Sequence, residues 1–125
     1  MLVLDDHAAA VVRSACDVLV PGSARVGPEV YIDALLARMP EDDRRATVAA
    51  FLALEPAAAG GADTMAERAY TPEFMLARAM ACEAFYSDFV APGAAGPGAW
   101  EEIDFRPPLA ARLDKDWSYL LGVNA

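Results

Sequence analysis

Apolar residues recur at helical spacing along most of this chain, and helix start and stop signals divide it into segments. Asp5 or Asp6 can cap a first helix, and the Pro21-Gly22 pair ends it. The apolar positions between these signals fall on one helical stripe: Leu4, Ala8, Val11, Val12, Ala15 and Leu19. The sequence therefore predicts an amphipathic first helix with one buried face.

Two further helices are predicted in the first half of the chain. Proline is favoured in the first turn of a helix, so Pro28 begins the second helix, while Pro40 ends it and begins the third. The third helix is expected to stop at Pro56. The expected core positions of the two helices are Ile32, Leu35, Leu36, Met39, Val48, Phe51 and Leu52.

The middle of the chain is predicted to hold a linker and a short helix. Residues 57–62 are all Ala or Gly, and we expect them to form a small, flexible linker. Thr64 and Glu67 have the spacing of a capping box, which predicts a short helix over about residues 64–70.

The longest predicted helix has an unusual composition. Thr71 supplies a cap, Pro72 fits the first turn and Glu73 adds a carboxylate there, so a helix is expected to follow over residues 74–89. Apolar side chains cover most of its circumference, and such a helix must be buried on most sides. Two explanations of this composition remain open. The helix either lies at the centre of a self-sufficient bundle, or a partner protein covers part of it.

The chain changes character after residue 90. Residues 91–98 are Pro, Gly and Ala, which sustain neither a helix nor a strand. Beyond them the apolar positions of residues 109–120 predict a terminal helix over about 108–121. We therefore expect an all-α fold: a bundle of four to five helices in residues 1–90, and a spacer with an extended, aromatic-anchored arm in residues 91–125. The arm either wraps a partner or folds back to cap the core.

The composition narrows the possible partners. The formal net charge is −9 and the sequence pI is about 4.4, so binding to nucleic acid or to an anionic membrane is not expected. No stretch of about 18 residues is apolar enough to span a bilayer, and the N-terminus does not read as a signal peptide. We therefore expect a soluble cytoplasmic protein.

No constellation of residues in the sequence predicts catalysis. His7 is the single histidine. It has no evident partner in the sequence, so we expect it to be exposed and to have no functional role. Cys16 and Cys82 lie among apolar residues; buried free thiols are expected, and a disulfide between them stays open. The acidic pairs are adjacent in sequence and so point in different directions on a helix. We therefore predict no catalytic residue, cofactor site or metal site in this chain.

Three short segments in a fixed order resemble one known family. Residues 17–22 read Asp-Val-Leu-Val-Pro-Gly, residues 30–36 read Val-Tyr-Ile-Asp-Ala-Leu-Leu, and residues 84–88 read Ala-Phe-Tyr-Ser-Asp. Their order and separation, together with the chain length, are similar to those of the gluconate 2-dehydrogenase subunit 3 family. These proteins are the small subunits of flavin-dependent sugar and alcohol dehydrogenases. The resemblance covers about residues 8–105.

The resemblance implies an all-helical auxiliary subunit that is not an enzyme on its own. It implies a larger partner of the glucose-methanol-choline (GMC) oxidoreductase type, which carries FAD and oxidises a hydroxyl of a sugar, glycoside or polyol. The scaffold residues that it implies are Leu19, Pro21, Ile32 and Asp33. Many members begin with a twin-arginine export signal, and this sequence does not, so the expected complex is cytoplasmic.

Aromatic residues near the end of the long helix and in the arm are the expected partner-binding residues, because aromatic side chains dominate binding hot spots. They are Phe85, Tyr86, Phe89, Trp100, Phe105, Trp117 and Tyr119. Two other functions remain open. One is a free-standing helical module that binds a small apolar ligand or another protein. The other is an enzyme in its own right, which a turnover assay of the isolated chain would test.

Overall fold

Four helices of eleven or more residues make up most of the fold: α1 (Asp6–Leu19), α2 (Pro28–Arg38), α3 (Glu41–Ala53) and α6 (Pro72–Tyr86). The computed structural model describes residues 1–104. The shorter elements are a 3₁₀ helix (Ser23–Val26), α4 (Glu55–Ala59), α5 (Ala62–Ala66) and α7 (Ala99–Glu102). Residues 1–104 contain no β-strand, which confirms the predicted all-α fold.

The predicted start signals place the first and the longest helix correctly. The Asp5 carboxylate accepts a hydrogen bond from the backbone N–H of Ala8 at 2.7 Å, and so caps α1. The Thr71 hydroxyl accepts one from the backbone N–H of Phe74 at 3.3 Å, and so caps α6. Each cap satisfies one of the amides that the first turn of a helix leaves without a partner.

The core lies around α1, which contacts each of the other three long helices. Because α3 and α2 also pack on α6, the four helices enclose one apolar interior. Its largest fully buried apolar side chains are Phe51, Ile32, Leu36, Leu54 and Val12. Dense packing of this kind supplies most of the stability of a small helical protein.

The flexible linker predicted after Pro56 was wrong. Residues 55–59 form α4, with Pro56 in its first turn, where proline needs no N–H donor. Alanine has the highest intrinsic helix propensity, and the small side chains of Ala57 and Ala58 are buried where α4 meets α1. The alanines therefore form a short helix of their own after α3 ends at Ala53, and this helix ends before Gly60 and Gly61.

Two predicted boundaries in the second half of the chain were also wrong. Helix α5 begins at Ala62, so Thr64 lies inside it, and the Thr64 hydroxyl donates to the Gly61 carbonyl at 3.2 Å. Helix α6 ends at Tyr86, three residues before its predicted end. The reason is that Asp88 adopts a left-handed conformation, with φ of 65°, which a continuing α-helix does not allow.

Residues 91–98 form no helix or strand, as predicted, but they are attached to the bundle by hydrogen bonds. The N–H of Ala91 donates to the Val26 carbonyl at 2.8 Å, and the N–H of Gly96 donates to the Arg25 carbonyl at 3.1 Å. The Arg25 side chain donates to the Pro97 carbonyl at 3.0 Å and pairs with Glu102. This part of the predicted spacer therefore folds back onto the bundle.

We expect the Gly27→Ala substitution to lower the free energy of unfolding by about 2–5 kcal/mol. Gly27 has a φ of 70°, and a Cβ there would lie 2.7 Å from the Cβ of Ala91. A left-handed conformation costs an L-residue about 1–2 kcal/mol, and overpacking costs about 1–3 kcal/mol more. Urea unfolding, followed by circular dichroism, measures the difference.

The matched control for this substitution is Gly93→Ala. Gly93 has a similar φ of 82°, but a Cβ there would meet no atom within 4 Å. Only the conformational cost of about 1–2 kcal/mol is then expected. Equal losses for the two variants would show that the close contact with Ala91 adds nothing to the cost of a Cβ at residue 27.

Candidate functional site

Helix α6 presents an apolar face to solvent. Met75, Ala79 and Tyr86 are exposed and lie at spacings of four and seven residues, which places them on one side of the helix. Met75 is 63% exposed, Tyr86 is 54% exposed, and Leu76 beside them is 36% exposed. We call these four residues the α6 face. Along a helix of 15 residues, or about 22 Å, they form a largely apolar strip, bordered by the exposed Arg78 and Glu83, that the rest of residues 1–104 leaves uncovered.

The opposite side of α6 explains why this face is left over. The buried residues of the helix are Ala77, Met80, Ala81, Ala84 and Phe85, and three of these are alanine. These small side chains let α1 and α3 pack closely on one side, and among residues 1–104 no helix covers the larger apolar side chains on the other side. The helix whose sequence is apolar nearly all round is thus packed against the bundle on one side and exposed on the other.

A groove borders the α6 face near the start of the helix. Tyr70, in the turn before α6, is 96% exposed, and its ring stands at the edge of a groove of about 460 Å³. The groove is lined by Ala69, Tyr70, Phe74, Met75, Arg78, Ala79 and Cys82. Only Arg78 among these residues is charged. Solvent-exposed aromatic and methionine side chains in one patch are typical of protein-binding surfaces.

The structure places the predicted partner-binding aromatic residues in different environments. Phe85 is 4% exposed, and its ring lies under the Arg25 guanidinium, so in this conformation it offers no surface to a partner. Phe89 is half-buried, with its ring centroid 5.4 Å from that of Tyr31. Tyr86 is exposed and belongs to the α6 face.

Trp100 is half-buried against the end of α6. Its indole N–H donates to the Tyr86 carbonyl at 3.0 Å, and its backbone N–H donates to the Asp88 carboxylate at 3.1 Å. Phe105, Trp117 and Tyr119, together with the predicted terminal helix, lie outside the described residues. Of the predicted aromatic residues that the structure describes, Tyr86 therefore has the most exposed surface for binding.

Asp33 is the predicted scaffold residue whose side chain makes the most hydrogen bonds. Its buried carboxylate accepts hydrogen bonds from the backbone N–H groups of Leu2 (2.7 Å), Val3 (2.9 Å) and Leu4 (2.8 Å). Burial alone would raise the pKa of Asp33. The three N–H donors, helped by the positive amino terminus, more than offset that effect and lower its pKa below 3.8. The carboxylate thus fastens the start of the chain to α2.

The other three scaffold residues differ in burial. Ile32 is fully buried beside Asp33, whereas Leu19 is half-buried against the core and Pro21 is exposed after the end of α1. Only Ile32 and Asp33 therefore lie inside the bundle. Sequence reasoning placed Asp33 on α2 but did not identify its backbone partners, which are 29 to 31 residues away.

The thiol of Cys16 is unsuited to nucleophilic chemistry. Both cysteines are free, Cys16 buried and Cys82 half-buried. Burial, and after it the negative charge of Glu29, raises the pKa of Cys16 to about 12. The thiolate is the reactive form of cysteine, so a pKa this high leaves Cys16 protonated and inert near neutral pH.

His7, Ser14 and Glu55 line one small groove but do not form a catalytic triad. His7 is exposed, as expected, but its Nε2 lies 3.3 Å from a carboxylate oxygen of Glu55, a neighbour that the sequence did not reveal. Ser14 lies two helical turns from His7, about 10 Å along α1. A nucleophile and its base must come within hydrogen-bond reach, which this separation does not allow.

The described part of the chain contains neither a metal-binding cluster nor a helix that could span a membrane. No group of three or more Cys, His, Asp or Glu side chains in residues 1–104 is placed to hold a metal ion. No helix in the same range has the length and apolarity needed to cross a membrane. Comparisons of the chain with models of known protein families, with curated proteins and with solved structures find no match.

Proposed function

We propose that this chain is a noncatalytic small subunit that binds and stabilises a larger FAD-containing subunit of the GMC type. In this proposal the partner oxidises a hydroxyl of a sugar, glycoside or polyol and carries the only flavin. The resemblance of residues 17–22, 30–36 and 84–88 to the gluconate 2-dehydrogenase subunit 3 family supplies the identity of the partner.

The exposed α6 face is the single observation that carries the docking part of this proposal. Met75 and Tyr86 offer large apolar surfaces on a rigid helix, and no other part of residues 1–104 covers them. A soluble protein gains nothing from exposing such a strip, whereas a partner that covers it gains the free energy of apolar burial. We therefore assign the α6 face, together with Tyr70, as the surface that contacts the large subunit.

The proposal also places the complex in the cytoplasm. Support comes from Cys16 and Cys82, which are both free thiols although α1 packs against α6. Unpaired cysteines are typical of reducing compartments. A cytoplasmic complex would act on substrates that the cell has already taken up.

Purification of the tagged chain from its source cells tests the proposed function. We expect a larger protein to co-purify in a fixed ratio and to bring the visible absorbance bands of bound flavin into the eluate. The same tag on an unrelated small acidic protein controls for non-specific capture. A chain that elutes alone and colourless, from cells in which its expression is verified, would contradict the proposal.

A further inference from the structure

A second groove, distinct from the α6 face, runs along α2. It has a volume of about 400 Å³, and its lining residues are Val30, Tyr31, Ala34, Leu35, Arg38, Phe89 and Pro92. This volume lies within the range of small-molecule sites, which are typically apolar with a few placed polar groups. We call it the α2 groove. Apart from Arg38 and the hydroxyl of Tyr31, its lining side chains are entirely apolar.

The apolar part of the groove is held in place by contacts on both sides of Tyr31. The Tyr31 ring packs against Phe89, with centroids 5.4 Å apart and planes tilted by 58°. The Tyr31 hydroxyl is directed to Glu83 of α6, to which it donates a hydrogen bond at 3.3 Å. Because its polar end is engaged there, Tyr31 contributes mainly its ring to the groove.

Arg38 lies at one end of the α2 groove and is available to bind an anion. It is exposed, and no carboxylate in residues 1–104 forms an ion pair with it. An arginine near the end of a helix can donate hydrogen bonds to the last carbonyls, but Arg44 donates to them here instead of Arg38. The acceptors are the carbonyls of Leu36 (2.9 Å), Ala37 (3.4 Å) and Met39 (3.1 Å). Within residues 1–104 the Arg38 guanidinium therefore keeps its donors for a ligand.

We propose that the α2 groove binds an amphiphilic monocarboxylate, with its apolar chain along Tyr31 and Leu35 and its carboxylate on Arg38. A guanidinium presents paired N–H donors that match a carboxylate. From Val30 to Arg38 the groove follows α2 for about 12 Å, which suits an extended chain of about eight to ten carbons. This inference does not depend on the proposed subunit role, because it concerns a different surface.

Calorimetric titration of the purified full chain with decanoate tests this inference. We expect saturable binding with one site per chain, and no binding of acetate or of decyltrimethylammonium at the same concentrations. Acetate lacks the apolar chain, and the ammonium compound has the wrong charge for Arg38. Equal binding of decanoate and the cationic amphiphile would overturn the proposal, because the groove would then select only for apolarity.

Substitution of the arginine locates the site. We expect Arg38→Gln to weaken decanoate binding at least tenfold, while Arg78→Gln, beside the groove that borders the α6 face, leaves it unchanged. Both arginines are exposed, so neither substitution should disturb the fold, and circular dichroism verifies this. Unchanged affinity in Arg38→Gln, or an equal loss in both variants, would refute the assignment of the carboxylate to Arg38.

Discussion

The Asp33→Asn variant is expected to lose about 3 kcal/mol of folding free energy, the largest effect of any polar substitution that we predict. The Asp33 carboxylate accepts three backbone hydrogen bonds at 2.7–2.9 Å while buried. An asparagine of the same shape has no charge. Its NH₂ group is itself a donor, so it cannot accept a hydrogen bond from a backbone N–H group that it faces. Hydrogen bonds to charged groups contribute about 1.5–3 kcal/mol, and a buried unpaired donor costs about 1–3 kcal/mol.

Urea unfolding at neutral pH measures this loss, and Asp42→Asn is the matched control. Asp42 is exposed in the first turn of α3, where a carboxylate contributes less than about 1 kcal/mol. A loss in Asp33→Asn no larger than that of the control would show that the three hydrogen bonds do not hold residues 2–4 to the bundle.

The same contacts predict a pH dependence with a definite sign. Because the pKa of Asp33 is lowered in the folded chain, the group stabilises the fold fully above its unfolded pKa, near 3.8. That contribution is lost as the pH falls through the lower folded pKa. The stability gap between the natural chain and Asp33→Asn should therefore be constant from pH 7 to about pH 5 and shrink below pH 3.8.

Met75→Glu combined with Tyr86→Glu is expected to weaken binding to the large subunit at least 100-fold. Each substitution removes a large apolar side chain and puts an unpaired charge into a surface that the complex buries. A buried hot-spot residue contributes about 2 kcal/mol or more, and about 1.4 kcal/mol corresponds to a factor of ten in affinity. Co-purification yield and a binding titration with the flavoprotein both measure the effect.

The control double variant is Leu2→Glu with Leu52→Glu. These two leucines are also exposed apolar residues, but neither belongs to the α6 face. We expect their replacement to leave the affinity within about threefold of the natural chain, since substitutions outside an interface contribute little. If both double variants weakened binding equally, added negative charge rather than the α6 face would explain the loss.

The sequence was most informative where a short local signal determines the structure. The caps at Asp5 and Thr71 and the proline in the first turn of α2 fix helix starts through neighbouring residues, and all three were predicted. The linker predicted at residues 57–62 is wrong because alanine beside glycine does not by itself make a segment flexible. Alanine favours the helix, and burial of Ala57 and Ala58 against α1 reinforced that preference.

The contacts that the sequence did not reveal are long-range. Arg25 reaches the Pro97 carbonyl 72 residues away, and Asp33 reaches Leu2 31 residues away. No local periodicity encodes such pairs, since they arise from how the helices pack. The excess apolarity of α6 was visible in the sequence, but which side of the helix stays exposed follows only from the placement of α1 and α3.

Hydroxyl-radical footprinting of the chain, alone and bound to the co-purified flavoprotein, tests the central claim most directly. In the free chain Met75, 63% exposed, should oxidise readily, and Tyr86 and Tyr70 should be modified as well. In the complex we expect all three to be protected at least fivefold, while His7, in the groove between α1 and α4, keeps its reactivity. Unchanged oxidation of Met75 and Tyr86 in a verified complex would contradict the account, because the large subunit would then bind elsewhere.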